Sequence, residues 1–160
     1  MSFGDFFSPA ARLESIRRQL ISGQILYLYC DFTIPDPKNK YLVLASTEPR
    51  LLFLVINSDQ RELVRSNPRW QQAQVSISTV DYQFLDHESW IDCTDVQELS
   101  QEEVESQLGR DMSRIKGQLS HDTLAAVIDA VAESPGLINR EKRWILVALH
   151  IALARLDLAE

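Results

Sequence analysis

Glycine is scarce and scattered in this chain: five residues in 160, none within a phosphate-cradling loop pattern. No Gly-x-Ser-x-Gly elbow exists to expose a nucleophilic serine. The three histidines, His87, His121 and His150, lie too far apart for metal-ligand spacing. Asp86-His87-Glu88 is a trio of ligand types, but neighbours in an extended segment point to opposite faces. No metal and no cofactor is therefore expected. Two cysteines, Cys30 and Cys93, lack metal or redox spacing and read as free, part-buried thiols. No apolar run approaches the ~18–20 residues that span a bilayer. The opening Met1–Pro9 stretch lacks a basic stretch and a long apolar core, so the expected location is cytoplasmic, away from membranes.

Basic residues are missing from one whole segment. Residues 81–109 carry 9 acidic and no basic side chains. Residues 1–80 are net +2 and residues 110–160 net 0, so the overall −7 comes from that block. Acidity spread over the whole surface would oppose nucleic-acid binding, whereas acidity confined to one segment does not. The block reads as a solubilising surface, or as a face that recruits a basic partner.

What is present is a core. Apolar residues make up 45% of the chain, including six Phe, four Tyr and three Trp. Ser8-Pro9 opens a first helix, with Leu13, Ile16 and Leu20 on its apolar stripe and Gly23 after its end. Residues 25–30 form an aromatic and apolar strand. A loop with Pro35 and Pro37 follows. Residues 41–45 and 51–56 are apolar runs around a Thr47-Glu48-Pro49-Arg50 turn, which predicts a largely buried hairpin. A turn centred between Glu48 and Pro49 sets Leu44 against Phe53, Leu42 against Val55 and Lys40 against Asn57. The polar residues closing both strands then meet at one sheet end. There Lys40 can stabilise phosphate charge, and Asn57 and Ser58 can orient it. Arg61, Arg65 and Arg69 are four apart and share a face if that segment is helical, although Pro68 keeps a helix from running cleanly through Arg69.

Gln72–Thr79 alternates as a half-buried strand, and Ser89–Thr94 is another, with Asp92 expected to face solvent. Ser100-Gln-Glu-Glu103 is a capping box. Val104, Leu108, Met112, Ile115 and Leu119 predict one helix running to about residue 119. Ser120 caps a second helix. A third, about Asn139–Leu158, carries Trp144, Val147, Ala148, Ile151 and Leu158 on a stripe that Leu146, Leu149 and Leu153 widen. Such width implies cover from more than one side, by the β unit and preceding helix or by a dimer partner. The expected fold is α+β with a mainly β core. It is a small five-stranded barrel with an N-terminal helix (1–99) and a C-terminal three-helix extension (100–160).

One order of elements stands out: a strand after Gly23-Gln24-Ile25, a proline-bearing loop, and Lys40 opening an apolar strand. A second apolar strand closes on Asn57-Ser58. An alternating strand then leads to Phe84-Leu85-Asp86-His87-Glu88-Ser89-Trp90-Ile91-Asp92-Cys93. Over residues 23–99 this resembles the PemK/MazF-like toxins, SH3-like barrels of bacterial toxin–antitoxin pairs, in a divergent form. The resemblance implies an SH3-like barrel, an antitoxin-like protein partner, single-stranded RNA, and homodimers. Active members of the family are metal-independent endoribonucleases. Their key arginine and hydroxyl residue match Lys40 and Asn57 or Ser58 here. Lysine lacks the bidentate fork of arginine and asparagine lacks the hydroxyl. The resemblance therefore implies a binding protein with reduced chemistry, the alternative being an active nuclease. Arg61, Arg65 and Trp70 would bind RNA by charge and stacking.

Overall fold

The structure is a computed structural model that describes residues 8–33 and 35–159. The reading of the first seven residues as free of a leader, and the placing of Ile34 in a loop, fall outside these.

The elements are α1 (Pro9–Gln19), β1 (Gln24–Cys30), β2 (Lys38–Ser46), β3 (Leu52–Asn57) and the short helices α2 (Glu62–Arg65) and α3 (Pro68–Gln71). Then come β4 (Gln74–Ile77), β5 (Ser89–Glu98), α4 (Gln101–Arg110), β6 (Ile115–Gln118), α5 (His121–Ala132) and α6 (Asn139–Ala159). The strands form one curled antiparallel half-barrel in the order β4-β5-β3-β2-β1-β6. The fold is α+β, as the sequence implies, with six strands among the described residues where five were expected.

The sixth strand corrects the helix predicted through residue 119. Helix α4 begins as its capping box dictates, with the Ser100 hydroxyl accepting from the Glu103 amide at 3.1 Å. It ends at Arg110 because Asp111 leaves helical geometry (φ −156°, ψ 96°). The Asp111 carboxylate caps a 3-10 turn instead, accepting from the Ser113 amide at 3.0 Å. The chain emerges extended, and Ile115 pairs with Leu26 of β1. Gly117 adopts φ +123° within this strand, a value L side chains avoid.

Both sheet faces are covered. Alternation along β1 to β3 sends Leu26, Leu28, Leu42, Leu44 and Phe53 toward α1 and α4, where Ile16, Val104 and Leu108 meet them. Ile25, Val43, Leu54 and Ile56 point the other way, toward α5 and α6. That two-sided burial explains why the hairpin strands are continuous apolar runs. On α6 the buried residues are Ile145 and Leu149. The predicted stripe of Val147, Ile151 and Leu158 is instead exposed.

The acidic block meets the basic first half of the chain. Glu105 pairs with Arg17 at 2.9 Å, Glu98 with Arg50 at 3.2 Å and Asp92 with Arg61 at 3.2 Å. Asp92, expected in solvent, is only 5% exposed. Among the described residues no helix is long and apolar enough to cross a membrane.

Candidate functional site

The β2–β3 register is the predicted one near the site: Leu42 opposes Val55 and Leu44 opposes Phe53. An irregularity between Leu44 and Ser46 follows on the turn side. At the far end, Lys40 Nζ donates to Asn57 Oδ1 at 3.0 Å. Lys40 is half-buried, and its pKa falls below the usual lysine value chiefly through that burial. The nearby charge of Lys38 adds to the fall, and the Cys30 thiol opposes it. The same surroundings push the Cys30 thiol up to about 11, mainly by burial.

Ser58 is not part of that pair. It follows β3 and is exposed. Strand alternation turns it to the face opposite Asn57. There it lines a cleft of about 210 Å³ with Tyr27, Lys40, Tyr41, Asp86 and His87. No hydrogen bond reaches the Ser58 hydroxyl among the described residues. The sheet end therefore joins Lys40 to Asn57 and leaves Ser58 as a wall of the adjoining cleft.

The three residues proposed for RNA lie on or beside two short neighbouring helices, which the Gln71 side chain links by donating to the Arg65 carbonyl at 2.9 Å. Arg61 precedes α2, and its Nη2 reaches Asp92 Oδ2 at 3.2 Å and Thr94 Oγ1 at 3.0 Å. Arg65 ends α2 and pairs with Asp59 at 3.2 Å. Trp70 is half-buried on α3. Arg61, Arg65 and Arg69 share no single helix, since α2 stops at Arg65 and Arg69 lies on α3.

A second cationic cluster escaped the sequence reading. Tyr27 and Tyr41 stack with centroids 4.4 Å apart, and Tyr41 meets Phe84 at 5.0 Å. The Arg114 guanidinium and the Lys116 ammonium each lie 5.9 Å from the Tyr27 ring centroid. Arg114 is held there by bonds to the Tyr27 carbonyl and to Asn39 Oδ1, both 2.8 Å. Tyr29, two residues along the same strand face, is 51% exposed. Lys38 is exposed on the neighbouring strand. Asp111 offsets part of this charge. Its carboxyl is held below the usual range by Ser113, with Arg114 and Lys116 adding to the effect. The signal in the sequence was the two-residue spacing of Arg114 and Lys116, which is strand spacing. The helical reading of that segment hid it.

Among the described residues no group of three His, Cys, Asp or Glu side chains is placed to hold a metal ion. Glu88, the third member of the predicted trio, instead accepts from the Thr79 amide at 3.1 Å and hydroxyl at 3.0 Å. No protein-family model and no curated protein matches this chain.

Proposed function

We propose that this chain is a non-catalytic binding protein that takes single-stranded RNA on the Tyr27–Tyr29 surface. The observation that carries the reading is Tyr27, flanked at 5.9 Å by both Arg114 and Lys116, beside exposed Tyr29. Aromatic faces that stack bases, with cations that follow the phosphates, are the means by which single strands are held without base-specific hydrogen bonds. The reading moves the RNA surface away from Arg61, Arg65 and Trp70, whose two arginines already serve Asp92 and Asp59. It keeps the kinship with PemK/MazF-like toxins as a proposal, with the half-barrel as an SH3-like barrel opened by a sixth strand. An antitoxin-like protein is then the natural protein partner, and the cytoplasm the natural setting.

Anisotropy of a labelled single-stranded RNA, titrated over a salt series without metal, tests this. Affinity should fall with salt by about 0.7 log units per log unit for each phosphate contacted. Tyr29→Ala should weaken binding about 5- to 150-fold, from the ~1–3 kcal/mol that one stacked base is worth. Equal binding by Tyr29→Ala and the parent protein, or none by either, defeats the proposal.

A second reading rests on the Lys40–Asn57 contact and on Ser58 sharing a cleft with Lys40. It makes the chain a metal-independent endoribonuclease with Lys40 stabilising transition-state charge. Metal-free RNA cleavage that disappears in Lys40→Ala would select it.

A further inference from the structure

Helix α6 carries two apolar seams. Ile145 and Leu149 are fully buried in the core shared with the sheet and α5. On the outward side Val147, Ile151, Ala154 and Leu158 recur at steps of four, three and four, one step of three after Trp144, which is half-buried against the core with Arg50 and Arg140 5.6 and 5.2 Å from its ring. Val147, Ile151 and Leu158 remain 62%, 51% and 88% exposed. Alternating steps of three and four mark a helix that packs along another helix, because they hold an apolar seam on a 3.5-residue repeat. A cleft of about 830 Å³ flanks the seam, shares Trp144, Val147 and Ile151, and continues onto Leu20, Ile21 and Leu119.

We propose that this seam is a self-association surface, on which two copies of the chain pair α6 against α6 in antiparallel fashion about a twofold axis. Charge complementarity selects both the occupant and its direction. With Val147 of one copy level with Ile151 of the other, the bulky Trp144 falls opposite the small Ala154. The flanking positions then bring Arg143 to Asp157 and Arg155 to Glu141 of the second copy. The symmetry of the dimer repeats each pair, giving four contacts of opposite sign. The side chains of Glu141, Arg143 and Arg155 make no hydrogen bond or ion pair of their own among the described residues. Asp157 bonds His121 Nε2 at 2.8 Å and still leaves 57% of its side chain exposed. A parallel pairing would set Trp144 against Trp144 and Arg155 beside His150, with no opposite charges matched.

Sedimentation of the full chain over a concentration series should give twice the 18.3 kDa monomer mass. Ile151→Glu should sediment as a monomer with an unchanged circular-dichroism spectrum and melting temperature, since the residue is exposed. Arg143→Glu should weaken the dimer about tenfold, and Arg143→Glu with Asp157→Arg should restore it. A spin label on Ala159→Cys, with both native cysteines buried, reads direction. The antiparallel pair sets the labels about 30 Å apart along the axis, from the 1.5 Å rise per residue. A parallel pair sets them about 10 Å apart, the spacing of the helix axes. A monomer at all concentrations, a dimer that survives Ile151→Glu, or the short label distance overturns the proposal.

Discussion

Replacing Asp92 by alanine should be among the most damaging single changes in this protein. Its carboxylate is 5% exposed and receives Gln74 Nε2 at 2.8 Å, the Thr94 amide at 2.9 Å, the Thr94 hydroxyl, and Arg61 Nη2 at 3.2 Å. Truncation leaves the buried Thr94 amide and the half-buried Gln74 amide group without their acceptor. Each such donor costs about 1–3 kcal/mol. Arg61 is half exposed and is not left as a buried charge, so the orphaned donors set the cost, about 3–5 kcal/mol in all. At about 2–4 °C per kcal/mol for a chain of this size, the melting temperature should fall by roughly 6–20 °C. Arg61→Ala removes the bonds to Asp92 and Thr94 made by a guanidinium that is half exposed, so solvent screening limits its effect to about 1 kcal/mol. Urea unfolding of the two single variants and the double variant gives the coupling between the residues, expected at about 1 kcal/mol. If Asp92→Ala unfolds within 1 kcal/mol of the parent protein, the carboxylate is not the polar hub described and Arg61 is released for another role.

Other predictions follow from local geometry. A Cβ added at Gly136 would run into the Thr94 carbonyl oxygen, so Gly136→Ala should lower stability by about 1–3 kcal/mol; an unchanged melting temperature would contradict this packing. Burial raises the Cys30 thiol from 9.0 to about 11, so the native chain keeps a proton that the unfolded chain loses. Stability should therefore fall as pH rises from about 9 to about 11, by up to about 3 kcal/mol from this group. Cys93 is shifted the same way by burial, whereas the lowered Lys40 value acts in the opposite sense below 10.5. Cys30→Ala should reduce the alkaline slope in urea unfolding, and an unaltered slope would refute the assignment. Both thiols should resist a water-soluble thiol reagent until the chain unfolds.

The hairpin was legible because its two apolar runs break once, at Thr47–Arg50, and one turn position gives the cross-strand neighbours of Leu42, Val43 and Leu44, up to the register shift beside the turn. Asp92 was misread because alternation along β5 assumes one wet face. Arg61 and Gln74 reach over that face and close it, a contact between residues 31 and 18 positions apart from Asp92 that no local pattern encodes. The stretch after Arg110 was misread for a different reason. Leu108, Met112, Ile115 and Leu119 keep helical spacing by coincidence, and the choice was made by one side chain, Asp111, capping a turn. The same error removed Arg114 and Lys116 from the candidate site. On α6, helical periodicity correctly predicts a wide apolar surface but cannot say which part the sheet takes. Ile145 and Leu149 won that position because they face the sheet and α5 together.

The charge distribution links the sheet end to the outer helix. Three carboxylates of the segment 81–109 hold Arg17, Arg50 and Arg61 of the first half. A segment that looks like an acidic recruiting face is thus partly consumed inside its own chain. The pairing also removes cations that the sequence alone would offer to RNA. Lys38, Arg114 and Lys116 make no ion pair with a carboxylate among the described residues, and Arg114 and Lys116 sit against half-buried Tyr27, beside exposed Tyr29. Arg143 and Arg155 likewise make no ion pair among the described residues, but they flank the apolar seam of α6. Cations beside aromatic faces suit a flexible polyanion, because stacking and charge act together without a fixed partner geometry. Cations beside a heptad seam suit a second helix whose own acidic residues stand at matching positions. The two groups should therefore respond differently to substitution. Lys116→Ala should lower RNA affinity and leave the oligomeric state alone, whereas Arg143→Glu should do the reverse.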